Sequence, residues 1–281
     1  MCYIPLPYRR VAALISMEKK SEPISHRFIF FHATIAFLIT SGIAWVTPLS
    51  FSGFRTDQSL SRFFLFLSDS GAQWGALSIM LFATVLVVVG QTGIKKRILT
   101  AILFLTGLTV VLVTFAFINE FVTKPFFAFH RPYVLRLESE RLLSADTYYA
   151  LATRTERAVF MRETLAKNQD SPIVQSLDPK IREHWITMTG FSFPSGHSQN
   201  AFLFALILSF LVQHLVPNGK RLVWIPFLWA IGICLSRVAL GAHSPLDVTV
   251  GALTGGLFGG LILLSGWLNK ALPEKQPREN E

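Results

Sequence analysis

Three short stretches concentrate the residues able to do chemistry. The first is Lys124, followed after six residues by Arg131 and Pro132. Read alone, two cations just past an apolar run are snorkelling anchors, with stems in lipid and charges in the interface. The second is Pro194-Ser195-Gly196-His197. A proline, a small hydroxyl residue and a glycine before a helix leave backbone N–H groups pointing outward, and such a helix start favours an anion. The plain alternative is a cap, with Ser195 satisfying the first turn. His197 favours the anion site, because an imidazole beside a bound anion can donate a proton to a leaving oxygen.

The third stretch runs Ser236-Arg237, then His243, then Asp247. Ser244 can cap the helix that follows, with Pro245 as its first residue, which puts Asp247 in the first turn. A carboxylate so placed can accept the Nδ1–H of His243, leaving Nε2 free to attack and steadying the positive charge that follows. The alternative is that Asp247 only completes a capping box and His243 is an interfacial histidine. Taken together, Lys124, Arg131 and Arg237 supply cations, Ser195 and nearby amides supply donors, and two histidines remain for proton and phosphoryl transfer. Such a set describes a phosphotransfer site. Two histidines and a carboxylate could instead hold zinc. Three fixed cations around the same cavity oppose a dication, however, and neutralise phosphate charge as a metal would, so neither metal nor cofactor is expected.

Groups this far apart in the chain need elements that bring them to one depth. Of the 281 residues, 51% are apolar and the mean hydropathy is +0.46, which suits a bilayer protein. The net charge of +9 sits in short clusters between apolar runs, so anionic lipid rather than nucleic acid is the expected partner. Cys2 and Cys234 give neither a disulfide framework nor a metal spacing. A bilayer core of about 30 Å needs about 20 apolar residues in a helix. Six stretches come close: 28–46, 74–90, 98–121, 198–216, 222–241 and 246–268. The expected fold is therefore all-α, an integral membrane bundle of six transmembrane helices spanning 28–268. Residues 1–27 form an amino-terminal segment and 269–281 a tail. The first twenty residues lack the pattern of a signal peptide, and Met17 is an alternative start.

Lysine and arginine beside short loops orient such a bundle. Arg9, Arg10, Lys19, Lys20 and Arg27 precede the first span; Lys95, Lys96 and Arg97 follow the second; Lys220 and Arg221 follow the fourth; Lys270, Lys275 and Arg278 follow the sixth. All fall on one side, which is expected to be cytoplasmic and to hold both termini. The absence of any Asn-x-Ser/Thr sequon favours a bacterial inner membrane, with the three motifs at its periplasmic face.

Residues 123–193, between the third and fourth spans, are too long and polar for a connector. Tyr148, Leu151, Ala152, Ala158, Val159 and Leu165 make an apolar stripe on one helix, and Asp178-Pro179 caps a second running through Trp185. The pair is either an ordinary solvated insertion or a lid over the site. In the last span Gly251, Gly255 and Gly259 recur every four residues, as do Gly256 and Gly260, which suits close packing within a monomer or, failing that, a weak homodimer face.

The stretches KPFFAFHRP, PSGH and SRVALGAHSPLD resemble the tripartite signature of the type 2 phosphatidic acid phosphatase superfamily, which includes lipid phosphate phosphatases and bacterial isoprenoid pyrophosphate phosphatases. Every signature position is filled, in order, although the motifs cover only part of residues 124–247. The resemblance implies a six-helix membrane hydrolase that works without a metal. By the same resemblance His243 would attack phosphorus to form a phosphohistidine, Asp247 would orient it, and His197 would protonate the leaving oxygen and then assist water. Lys124, Arg131, Ser195, Gly196 and Arg237 would bind the phosphoryl oxygens. The expected substrate is a membrane lipid phosphate or pyrophosphate. The long outer insertion departs from the signature and leaves substrate choice open. Alternatives are a lipid-to-lipid phosphotransferase using the same phosphoenzyme, a transporter of phosphate-bearing solutes, which would want ionisable groups at mid-membrane, and a non-catalytic lipid-binding protein.

Overall fold

The computed structural model describes residues 26–46 and 58–273, and among these the chain is all helix and loop, with no strand. The clusters at Arg9, Arg10, Lys19 and Lys20 and at Lys275 and Arg278, with Met17, lie outside the described residues.

The membrane-type helices are α1 (Arg27–Val46), α2 (Gln58–Ser70), α3 (Gln73–Val89), α4 (Ile94–Phe117) and, after an outer insertion, α11 (Gly196–Leu215), α12 (Trp224–Ala239) and α13 (Pro245–Leu264). Among the described residues five helices are long and apolar enough to cross a bilayer, and a sixth if α2 and α3 count as one helix bent by 55°. The sequence reading found α3 but not α2. The reason is compositional: α2 mixes four serines, Arg62 and Asp69 with its phenylalanines, so it is amphipathic rather than uniformly apolar, with Phe63 and Phe66 exposed and Ser61 and Ser68 buried. Elsewhere the outer surface of α1, α3 and α4 is apolar: Phe31, Leu38, Leu81, Val85, Leu103 and Val113 are all exposed, as lipid-facing residues must be.

At the centre α11 packs against α13 and α12, and its apolar residues from Ala201 to Leu211 are buried on nearly every side. The α11–α13 seam is set by glycine. A Cβ on Gly251 would lie 2.4 Å from the Ser195 carbonyl oxygen, and one on Gly255 would lie 2.0 Å from that of Gln199. Gly259 faces Leu206 in the same way, whereas Gly256 faces open space. Backbones can approach this closely only where one partner lacks a side chain.

At one end of the bundle, Gln91 donates to the Ala271 carbonyl of the short helix α14 (Trp267–Ala271) at 2.9 Å, bringing the turn before Lys95, Lys96 and Arg97 beside Lys270. The other end carries the insertion. There α4 passes into a π-helical turn (Ile118–Thr123) and α5 (Lys124–Phe127), followed by α6 (Pro132–Ser139), α7 (Ala145–Ala150), α8 (Arg154–Lys167), α9 (Pro172–Ser176) and α10 (Pro179–Thr187). The single helix expected through Tyr148 to Leu165 is two helices. Thr153 forms a capping box with Glu156, and that local bond pair starts a new helix; of the expected stripe Tyr148 and Leu165 are buried, whereas Ala152 and Val159 are exposed. The second expected helix is present, with the Asp178 side chain accepting from Lys180 N and Pro179 in its first turn.

This cap has its own core, in which Tyr133, Tyr148, Met161, Val174 and Trp185 are fully buried. Trp185 Nε1 donates to the Leu240 carbonyl at 2.9 Å, and the Tyr133 amide donates to the Gly241 carbonyl at 3.0 Å. The cap is thus tied to the α12–α13 turn rather than free in solvent.

Candidate active site

The three motifs converge because each lies at a helix end of the same depth. Ser195 caps α11, accepting from Ser198 N, and its own amide donates to the Asp247 carbonyl at 2.9 Å, joining the starts of α11 and α13. Ser244 caps α13 in a reciprocal box: its hydroxyl accepts from Asp247 N, and Asp247 Oδ2 accepts from Ser244 N at 2.7 Å. Between α12 and α13, Gly241 adopts φ of +68°, the left-handed geometry that ends a helix. The turn lets the amides of Ala242 and His243 both donate to the Arg237 carbonyl, which aims the histidine back over the site.

His243 is 3% exposed and Asp247 fully buried. Nδ1 of His243 lies 3.5 Å from Asp247 Oδ2, and Nε2 lies 3.4 Å from Arg131 Nη1. A guanidinium can only donate, so Nε2 faces it as the unprotonated nitrogen and Nδ1 carries the hydrogen toward the carboxylate. One oxygen of Asp247 completes the capping box and also stands 3.5 Å from the imidazole, so capping and an approach to His243 are compatible. His197 is half-buried, within Coulombic reach of His243, Arg237, His184 and Lys124.

The cations are held by the backbone and by one another's neighbours. Arg131 is 3% exposed and donates to the carbonyls of Gly190 (2.7 Å), Ala242 (2.9 Å) and Phe191 (3.3 Å). Its amide donates to the Tyr149 hydroxyl at 2.9 Å, while the Tyr149 ring stacks between His130 and Phe191. Burial raises that phenol to about 12, so it stays a neutral hydrogen-bonding group. Arg237, fully buried, bonds the Ser68 hydroxyl from α2 and reaches His184 Nε2 at 3.2 Å. Lys124 is buried and donates to Glu120 Oε2 at 2.7 Å. Gly196 opens α11 against Asn119, whose Nδ2 would lie 3.0 Å from an added Cβ.

All eight residues singled out in the sequence thus lie at one end of the bundle. Sequence reasoning missed Ser68, Glu120, Tyr149 and His184. Glu120 stands four residues before Lys124 on the same helical face, a legible ion-pair spacing. For Ser68 and His184 no local signal exists. Burial, followed by the charge of Arg237 and Arg131, holds the His184 imidazole well below its usual 6.5, as suits a group accepting from an arginine. Among the described residues no three His, Cys, Asp or Glu side chains gather as a metal site.

Burial, reinforced by the positive charges of Arg131, Arg237 and Lys124, also holds His243 well below the ordinary imidazole value of 6.5. A nucleophilic imidazole must be neutral, and a lowered pKa keeps it neutral further into acid. The acid limb of kcat/KM should therefore lie below pH 6.5, measured on a lipid phosphate in detergent. A limb above that value would mean that another group governs it.

A cleft of about 460 Å³ opens beside Asp247, bounded also by Phe129, His130, Leu135, Ser192 and Ser244. Phe129 and Leu135 are exposed at its outer edge.

A helical membrane bundle whose span ends gather three cations over a histidine and aspartate pair defines a class. The sequence pattern of the PAP2 superfamily matches residues 97–271, and the chain belongs to that superfamily. It is 35% identical over 139 residues to phosphatidylglycerophosphatase B of Escherichia coli (strain K12), covering 49% of this chain and 50% of that protein. It is 40% identical over 94 residues to phosphatidylglycerophosphatase B of Bacillus subtilis (strain 168), covering 32% of this chain and 43% of that one. A putative undecaprenyl-diphosphatase of Escherichia coli (strain K12) is 37% identical over 86 residues, covering 31% and 39%. The chain spans about half the length, or less, of these curated relatives.

Proposed function

We propose that the protein is a membrane phosphatase that hydrolyses a lipid phosphate through a phosphohistidine on His243. The observation that carries this reading is the His243 imidazole itself, with Nδ1 toward Asp247 and Nε2 toward Arg131. Nε2 attacks phosphorus, a P–N bond forms, and the P–O bond to the lipid breaks. His197 donates a proton to the departing lipid oxygen. Water, relieved of a proton by the same His197, then attacks phosphorus; the P–N bond breaks and inorganic phosphate leaves. Lys124, Arg131, Arg237, Ser195 and the Gly196 amide bind the phosphoryl oxygens, where negative charge develops most strongly. Asp247 holds the reactive tautomer and balances the imidazolium character of the phosphoenzyme.

The cleft beside Asp247, apolar at its outer edge, suits the lipid portion next to the scissile bond. Lys95, Lys96, Arg97 and Lys270 gather at the end opposite the site, which supports a cytoplasmic position for that end and a periplasmic one for the site. The relatives' names point to phosphatidylglycerophosphate as the first substrate to try, followed by undecaprenyl pyrophosphate; phosphatidic acid is added from the resemblance of the three motifs. Purified protein in detergent, offered these lipids, should release inorganic phosphate and keep its rate in EDTA. No release from any of them, or a rate abolished by EDTA and restored by a divalent metal, would remove the proposal.

A further inference from the structure

The π-helical turn Ile118–Thr123 is left unused by the catalytic reading, and such turns inside helices often mark function. Its Glu120 carboxylate is shared between two cations. Oε2 accepts from Lys124 Nζ at 2.7 Å, and Oε1 accepts from Nη2 of Arg154 at the start of α8 in the cap. Gly190 gives the carboxylate room, since a Cβ there would lie 3.0 Å from Oε1. Lys124 is 8% exposed and lies within Coulombic reach of Arg131. A carboxylate oxygen and a phosphate oxygen make the same demand on an ammonium group: a short, charge-assisted bond from a donor with a full positive charge.

We propose that Glu120 is an internal stand-in for phosphate. It holds Lys124 between turnovers and competes with every phosphate-bearing ligand for it, so its charge sets the affinity for product phosphate and for phosphate monoester headgroups alike. The inference rests on the reading of Lys124 as a phosphate ligand. Arg154 completes the device. When Lys124 turns to the ligand, Glu120 keeps a cationic partner and is not left as an unpaired, partly buried charge. The penalty falls equally on lipid and product, but product phosphate has no apolar anchorage to offset it, so Glu120 leaves it the weaker-held species and favours its departure.

The test is a titration of inorganic phosphate into the purified full chain in detergent, followed by calorimetry so that no turnover is needed. Glu120→Gln should bind phosphate about tenfold more tightly than the wild type, and inorganic phosphate should inhibit lipid hydrolysis more strongly by a similar factor. In the Lys124→Met background the same substitution should change binding less than about twofold, because the competition has lost its object. Glu120→Ala carries the same expectations should the amide variant fail to elute as a single species. Unchanged or weaker phosphate binding by these variants overturns the inference. So does a tenfold gain that persists without Lys124, which would mark a general loss of negative charge. A wild-type chain that neither cleaves lipid phosphates nor binds phosphate would sink the phosphatase reading itself; normal wild-type behaviour with an indifferent Glu120→Gln sinks this inference alone.

Discussion

His243→Ala should lower phosphate release from the best lipid substrate by about a thousandfold or more, and should abolish an acid-labile phosphoenzyme trapped with labelled substrate. No other imidazole shares its arrangement, with one nitrogen 3.5 Å from a buried carboxylate and the other facing a guanidinium. Alanine removes the proposed nucleophile and the imidazole facing Asp247, but the Ser244–Asp247 box that starts α13 is untouched, so the protein should remain folded. His197→Ala should cost at least about a hundredfold, with a different signature. The phosphoenzyme should still form from a substrate with a good leaving group, which needs little proton transfer, and should accumulate because the base that activates water is lost as well. If His243→Ala retained wild-type phosphate release, the covalent route would be wrong; if His197→Ala formed the phosphoenzyme with equal loss from poor and good leaving groups, the proton-donor role would be.

The second large effect concerns a residue that touches no substrate. Gly255→Ala should destabilise the bundle by about 3 kcal/mol or more, beyond the usual cost of one surplus methyl. A Cβ there meets the Gln199 carbonyl oxygen at 2.0 Å, and a helix backbone cannot rotate aside as a side chain would. The strain must part α11 from α13, and these are the two helices whose starts are joined by the Ser195 amide and the Asp247 carbonyl. Activity should therefore fall together with thermal stability. Gly256→Ala, one residue on and facing open space, should be neutral or slightly stabilising, since alanine is the better helix former by about 1 kcal/mol. A thermal-shift series in detergent decides it: equal behaviour of the two variants would show that the seam is not where stability resides.

Much of the site was legible because its logic is local. A serine three residues before an aspartate, with proline between, specifies a capped helix start, and a histidine four residues before that aspartate must face it. The six apolar runs likewise declare themselves by length. The partners of the buried arginines do not. Arg237 meets Ser68 across 169 residues and His184 across 53, and Arg131 meets the Ala242 carbonyl across 111. Nothing in the periodicity of α2 announces that Ser68 turns inward to an arginine, nor does the stripe on the cap announce that it breaks at Thr153.

By itself, then, the sequence determined which helix ends would carry charge and imidazole, because capping, period and apolar length act within a few residues. Only the tertiary structure decided that Arg237 is shared with α2 and the cap, that Glu120 claims Lys124 and Arg154 together, and that Gly251, Gly255 and Gly259 face α11 while Gly256 does not. Those outcomes depend on how three helices and a cap settle around one another. Close packing between segments distant in the chain leaves no trace in the local pattern of either one.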